Sequence, residues 1–448
     1  MEIGESRIGN LLVLRPQGRL DNVTSAEFQP ILLHAVTAGA ADIVIDLSAV
    51  EYISSAGLRV LMTASKMKAR GRRLAVAGLH GIVREVFSIS RFDHVIPVFG
   101  SVEEAAAEWE RDSQTAEAPE SEPAPGAPIA VRFWGTRGSL SAPLNDAAVR
   151  AKIRQALVAA CERGLADPAD IDLFIERELP FSVRGTFGGN TSCVEIGGGT
   201  GGDYLLCDLG TGVREFGNRV IAEHGAARPH CFNVFLSHVH WDHIMGFPFF
   251  APAYIPGNRI RIHGCHKSLR EALLRQQSAP CFPVSFGSLP ATIEFIELEP
   301  GIEYRIGGFS VNAIRQFHEG ESYGYRFSRG GKSIVYSTDC EHKTTVLDAA
   351  YPFVEFFRDA DLLIFDSMYS LAETVSVKED WGHSSNIVAV ELAQLAHVKQ
   401  LALFHHEPAY DDASIERVLR ETIRYEEISR EDHRVEVISA YDGLELTV

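Results

Sequence analysis

Between Ser113 and Pro128 the chain has no large apolar residue, and proline recurs. A segment of this kind cannot bury enough surface to order itself, so it reads as an extended Pro/Ala/Glu linker. The chain is thereby expected to fold as two modules, residues 1–112 and 129–448, each with its own core. Its 448 residues amount to two or three ordinary domains, and a hydrophobic fraction of 46% excludes a disordered chain. The sequence shows no internal repeat.

The first module alternates strand and helix signals. Leu11–Leu14, Ile43–Leu47 and Arg73–Ala77 are apolar runs of strand length. Between the first two, Thr24 or Ser25 is a candidate cap for a helix through Val36. A second helix is expected from Ser55 to about Arg70 and a third near Ile82–Ile89. The alternation predicts a small α/β layer structure.

The second module opens on a strand at Ile129–Trp134. Asn145 to Cys161 is expected to be helical, with Val149, Ile153, Leu157 and Cys161 repeating every fourth residue and Gly164 as the stop. Beyond Thr191, short strands such as Tyr204–Cys207, Phe232–Leu236 and Ile334–Tyr336 end in loops rich in His, Asp and Gly. A helix is expected after Ser384–Ser385, with Val388, Leu392 and Leu395 inward. Polar residues crowded at strand ends suggest a site built on loops over a rigid sheet.

Charge and cysteine usage narrow the class. Lysine plus arginine is 42 and aspartate plus glutamate 60, so the formal charge is 42 − 60 = −18. Such a surface repels polyanions, which argues against wrapping long nucleic acid or binding acidic lipid. No stretch reaches the roughly 20 apolar residues of a membrane helix, and the start lacks the pattern of a signal peptide. The seven cysteines form no C-x-x-C and read as reduced thiols, so a cytoplasmic location is expected.

The chemistry concentrates in His238-Val239-His240-Trp241-Asp242-His243, which directly follows a strand. Four metal-binding side chains within six residues suit a loop turned towards one centre, with imidazole and carboxylate favouring zinc, or manganese or iron. One zinc would not use all four comfortably, whereas two metals about 3.5–4 Å apart would. Three further candidates recur at strand ends: His318, Asp339 and His405.

Here the sequence resembles the metallo-β-lactamase superfamily, through His-x-His-x-Asp-His and Asp208-Leu209-Gly210-Thr211-Gly212 upstream. The finer resemblance is to its ribonuclease Z-like phosphodiesterase branch. It is carried by Phe133–Ser139, Gly188–Ser192, Tyr336–Asp339, Trp381–Ser384 and Phe404–Pro408. The resemblance implies an αββα sandwich with the site at its open edge. It implies that His238, His240 and His318 hold one divalent ion, that Asp242, His243 and His405 hold the other, and that Asp339 bridges them. Asp208 would orient a ligand histidine. Asp242 counts as catalytic too, because turnover would need the ligand it supplies.

His406 competes with His405, and Cys340 with Asp339; the family's ligand directly follows the strand and its Ser/Thr-Asp pattern fits Asp339. The resemblance also implies a water activated by the metals and a proton donor, His383 in Gly-His-Ser, held by Asp366. The family more often has Glu where Asp366 stands.

Transfer-RNA endonucleases of this family carry a long basic arm after the His-rich motif, and none is seen between Met245 and Glu299. A small or cyclic-nucleotide-like phosphodiester is therefore expected over RNA. Phe247, Phe249, Phe250 and Tyr254 are candidates for stacking a base or for core packing.

Gly18-Arg19-Leu20-Asp21 and Asp46 through Leu58 resemble the STAS domain of anti-sigma-factor antagonists, over about residues 5–110. That resemblance implies a serine kinase or anti-sigma factor as partner, with Ser55 as phosphate acceptor at a helix N-terminus. The plain alternative is that Ser55 caps the helix. The whole chain is thus expected to be an α/β STAS domain followed by an αββα metallo-β-lactamase sandwich, a phosphodiesterase with a signalling module; the alternatives are an RNA-processing ribonuclease Z-like nuclease and an anti-sigma-factor antagonist-type signalling adaptor.

Overall fold

A computed structural model describes residues 2–38, 41–68, 72–90, 92, 96–115, 126–197, 202–225, 228–342, 350–369 and 380–448. The chain divides into two compact units.

The first unit is a five-stranded sheet. Its strands β1 (Ile3–Ile8), β2 (Leu11–Pro16), β4 (Asp42–Asp46), β6 (Leu74–Ala77) and β7 (Val98–Phe99) lie in the order β1-β2-β4-β6-β7. A separate pair, β3 (Gly18–Leu20) and β5 (Val50–Ile53), runs parallel. Helices α1 (Asn22–Ala38), α2 (Ser55–Met67) and α3 (Gly81–Ile89) pack on one face. There Phe28, Leu32, Leu61 and Phe87 meet Leu14, Ile43, Ile45 and Val76. Helix α4 (Val102–Thr115) covers the other face through Val102, Ala105 and Trp109, against Val13, Val44 and Ala75. Adjacent residues of β4 and β6 thus point into different cores, which is why both strands read as unbroken apolar runs.

Three expectations need correction here. The cap of α1 is Asp21, not Thr24 or Ser25: its Oδ1 accepts from the amides of Val23 and Thr24, at 3.0 and 3.2 Å. The cap of α2 is Ser54, whose side chain accepts from the Gly57 amide, so Ser55 is the first helical residue and not the cap. Helix α2 ends at Met67, earlier than the expected end near Arg70, because Lys68 leaves the helix at φ −59, ψ 144; Arg70 itself lies outside the described residues. Helix α4 runs three residues into the segment read as linker; residues 116–125 of that segment lie outside the described residues.

The second unit holds two seven-stranded sheets. One contains β8 (Ala130–Gly135), β9 (Cys193–Ile196), β10 (Asp203–Cys207), β11 (Cys231–Phe235), β12 (Arg259–Gly264), β13 (Thr292–Glu297) and β21 (Glu445–Thr447), in the order β13-β12-β11-β10-β9-β8-β21. The other contains β14 (Tyr304–Ile306), β15 (Phe309–Gln316), β16 (Ser322–Arg329), β17 (Lys332–Ser337), β18 (Leu362–Asp366), β19 (Gln400–Phe404) and β20 (Glu436–Ser439), in chain order.

The sheets pack face to face. Val131, Phe133, Leu205, Cys207 and Phe235 of the first meet Tyr325, Ile334, Tyr336, Ile364 and Phe404 of the second. The outer face of the second sheet carries Val335, Leu363, Phe365, Leu401 and Leu403, covered by helices Pro352–Phe357 and Asn386–Leu395. The latter is capped by Ser385 and buries Val388 and Leu392; Leu395, expected inward, is 37% exposed because the helix ends there. On the outer face of the first sheet, Tyr204 and Phe232 stack beside Phe216 and Phe250.

Helix Asp146–Arg163 begins at the Asn145 cap and ends on Gly164 at φ 70, as its boundary residues predict. None of its residues is buried, so the stripe of Val149, Ile153, Leu157 and Cys161 faces out.

Candidate metal centre

Strands β10 and β11 are parallel neighbours in one sheet, and β17, β18 and β19 are parallel neighbours in the other. Their C-terminal ends open at one edge of the sandwich, where open α/β sheets present their sites. The residues that follow these strands are Asp208, Ser237–His243, Asp339, Asp366 at the last position of β18, and His405. Asp208, Asp339 and His405 stand at φ 61, 47 and 61. Non-glycine residues rarely hold this left-handed conformation, and where they do the surrounding structure imposes it, commonly at functional sites.

All seven residues expected to bind metal converge. His238, His240 and His318 form one group and Asp242, His243, Asp339 and His405 another, with ligand atoms within 4.8 Å of one another in each. In the first group His318 Nε2 stands 3.1 Å from His240 Nδ1. In the second, His405 Nε2 lies 3.2 Å from Asp242 Oδ2, and His243 Nε2 is at the same distance from that oxygen.

Asp339 faces both groups. Its Oδ1 is 3.2 Å from His243 and His405, while its Oδ2 is 3.6 Å from His238 and 3.7 Å from His318. His406 is turned away, bonding the Ala440 carbonyl at 2.9 Å, and Cys340 packs in the apolar layer behind β17.

The ring tautomers are set from behind. His243 Nδ1 donates to Asp208 Oδ2 at 2.7 Å and His318 Nδ1 to the Gly382 carbonyl at 2.9 Å, which leaves each Nε2 a bare lone pair aimed inward. Asp208 is itself held by the Ser237 amide and hydroxyl and by the Tyr336 hydroxyl. Asp242 Oδ2 accepts from the Ser139 amide at 2.7 Å. The sequence reading did not single out Ser139, Ser237, Tyr336 or Gly382. All four lay in or beside motifs already quoted, but nothing in a motif marks the Gly382 carbonyl as an anchor. Glycine is required at two of these places. A Cβ on Gly138 would sit 2.5 Å from the His405 ring, and one on Gly382, at φ 81, would sit 2.3 Å from His318 Nδ1.

His238 Nε2 and His243 Nε2 are buried without a hydrogen-bond partner among the described residues. Two unpaired buried acceptors aimed at a carboxylate cluster would be costly in a closed polar core. Divalent metal ions would satisfy both, so the residues fit the ions that the fold implies. Burial holds His238, His240 and His318 below the usual histidine range, keeping them neutral and ready to ligate. His243 differs: burial works against its charge, but Asp242, Asp339 and Asp208 outweigh it and push its pKa well above that range, so positive charge is favoured at this end of the cluster. Burial opposes ionisation of Asp242 and Asp339, but the surrounding histidines outweigh it and hold both as carboxylates.

His383 stands beside this centre. Its Nδ1 donates to Asp366 Oδ2 at 2.8 Å, so the shorter aspartate does reach. Burial works against a charge on His383, but Asp366, with Asp339 and Asp242 beyond it, pushes its pKa up to about 9.

Of the candidate stacking residues, Phe247 and Phe250 are core, Tyr254 bonds the Pro248 carbonyl, and only Phe249 is exposed. Ser55 lies at the exposed start of α2.

Comparison with known proteins matches both units. Residues 5–105 match the STAS domain family and residues 204–406 the beta-lactamase superfamily domain. The first region is 36% identical to a putative anti-sigma factor antagonist, BtrV, of Bordetella bronchiseptica, over 24% of this chain and 93% of that protein. The second is 26% identical to a ribonuclease Z of Thermoplasma acidophilum, over 41% of this chain and 71% of that protein. The metallo-beta-lactamase fold protein YhfI of Bacillus subtilis aligns with 72% of this chain and 99% of its own, at 18% identity and a TM-score of 0.47. The chain belongs to the STAS family through its first unit, and its second unit is a ribonuclease Z-like hydrolase domain of the metallo-β-lactamase superfamily.

Proposed function

We propose that the second unit is a phosphodiesterase with two divalent metal ions, zinc by donor type, acting on a small or cyclic-nucleotide-like phosphodiester. The observation that carries the reading is the His383–Asp366 pair, 2.8 Å apart, beside a cluster of seven ligands. His238, His240 and His318 would hold one ion and Asp242, His243 and His405 the other, with Asp339 facing both groups. Such ions supply positive charge for the phosphoryl oxygens and a water that ionises near neutrality.

The chain's own groups do the rest. Asp208 fixes the His243 ring and Gly382 the His318 ring, so the ligands need no rearrangement when substrate arrives. Asp366 orients His383 through Nδ1 and keeps it protonated, leaving Nε2 to deliver a proton to the departing alkoxide.

The small substrate is favoured by the stretch 246–298. Strands β12 and β13 and helix Leu269–Gln276 account for much of it, and among the described residues no long basic arm occurs there. The second reading, an RNA-processing nuclease, is favoured by the name of the curated relative, a ribonuclease Z.

In the first unit, Ser55 is the proposed phosphate acceptor for a serine kinase. Its position at the open N-terminus of α2 supports this. Such a surface would dock the kinase or an anti-sigma factor.

Turnover of cyclic nucleotides, bis-p-nitrophenyl phosphate and precursor RNA by the full chain tests the reading. His383→Ala is expected to slow alkyl leaving groups by roughly 10²–10⁴-fold and nitrophenolate, which needs no proton, much less. Equal losses on both, or cleavage of RNA alone, would refute it.

A further inference from the structure

The two ligand groups differ in their access to solvent. Asp242, His243, Asp339 and His405 are all buried, whereas His240 is exposed and His318 half-buried. A substrate therefore reaches the centre past His240 and His318. Beside each of them in sequence stands a large aromatic residue open to solvent: Trp241 is 75% exposed and Phe317 61%. Trp381 is 55% exposed and precedes Gly382, whose carbonyl anchors the His318 ring.

Three contacts bring these aromatics to one mouth. The His240 and His318 rings lie 5.0 Å apart. The Glu341 amide donates to the Phe317 carbonyl at 2.8 Å. The Glu341 carboxylate accepts from the amides of Asp380 and Gly382, on either side of Trp381, at 3.2 and 3.0 Å. Tryptophan and phenylalanine normally bury most of their surface, and an exposed cluster of them marks a binding site.

The charge around them is one-sided. Residues 238–243, 316–321 and 380–384 include no lysine or arginine, while Glu319, Glu321 and Asp380 are exposed. Neighbouring Arg315 is engaged by Glu321 at 3.1 Å. Proteins that track a polynucleotide line its path with cations as well as aromatic rings. This mouth offers flat apolar surface and carboxylates, which repel a second phosphate.

We infer, on the phosphodiesterase reading, that Trp241, Phe317 and Trp381 receive a nucleobase. The substrate class is then a nucleoside phosphodiester with one phosphate and one flat ring, a cyclic nucleotide rather than a polynucleotide. The ligand groups would take the phosphate and the aromatic rim the base. Trp241 links the two, since the one-turn helix Trp241–Ile244 also carries Asp242 and His243. Every base has a π-face, so the rim asks for a base without specifying which.

Kinetics of the full chain on cyclic AMP and on its base-free methyl riboside analogue test this. The wild type should favour cyclic AMP in kcat/KM on the order of tenfold. Trp241→Ala should remove most of that preference, chiefly through KM, and Trp241→Phe, which keeps a ring, should retain most of it. Binding is read apart from turnover by tryptophan fluorescence with the slowly hydrolysed phosphorothioate analogue of cyclic AMP. Saturable quenching is expected in the wild type and not in Trp241→Ala. If no diester is hydrolysed, the phosphodiesterase reading falls and the quenching alone decides whether the rim holds a base. Hydrolysis without preference for the base-bearing diester, a preference that survives Trp241→Ala, absence of saturable quenching, or faster turnover of an oligoribonucleotide than of cyclic AMP would each overturn the inference.

Discussion

Replacing Gly138 with alanine is expected to damage the metal centre without touching a ligand. The added Cβ would lie 2.5 Å from two atoms of the His405 ring. Ordinary carbon contacts lie near 3.5–4.0 Å, so the ring or the loop must give by about 1 Å. His405 has little room to retreat, since it is fully buried, with the His383 ring stacked on it at 5.1 Å. A displacement of about 1 Å at a reacting centre costs on the order of 100-fold in rate. The expected result is a folded protein that binds the ion held by His238, His240 and His318, loses occupancy at the Asp242/His243/His405 group, and turns over bis-p-nitrophenyl phosphate roughly 100-fold more slowly. Metal analysis and steady-state kinetics on the purified full chain read both quantities. Full occupancy with wild-type turnover would refute the argument that Gly138 is there to admit the His405 ring.

Asp208→Asn removes the carboxylate behind His243 and should lower metal affinity by about 10–100-fold, read by competition with a chelator. Ser54→Ala should cost the first unit about 1 kcal/mol of capping, seen as a lower melting temperature, whereas Ser55→Ala should leave melting almost unchanged. With a partner serine kinase, Ser55→Ala should abolish phosphate incorporation; modification at Ser54 instead would move the acceptor by one residue.

The parts legible in the sequence were those where one residue type answers one physical demand. Asn145 and Gly164 bounded their helix because few residues cap an N-terminus or accept a left-handed turn as well. The seven candidate ligands stood out because histidine and aspartate crowded after apolar strands have little other use, and the structure brings them together.

The readings that failed had competing solutions. At the start of α1, Asp21, Thr24 and Ser25 can each cap, and only the chain's path from β3 selects Asp21. Ser54 and Ser55 compete in the same way. Helix 146–163 and its stripe were read correctly as a repeat; the outward direction of that face was not legible, because periodicity tells which residues share a face, not which way the face turns. For Phe247 and Phe250 core packing was the favoured reading over stacking a base, and the aromatic packing with Phe286 and with Phe216 agrees with it.

The central claim is that a pair of metals does chemistry at this strand edge. Its most direct test is metal stoichiometry measured together with hydrolysis of bis-p-nitrophenyl phosphate, for the wild-type chain and Asp339→Ala. The account predicts about two divalent ions per chain and turnover for the wild type. For Asp339→Ala, which loses the carboxylate facing both groups, it predicts loss of metal and of turnover together. A wild-type chain that hydrolyses the substrate without metal, or an Asp339→Ala variant that keeps both ions and full activity, would contradict it.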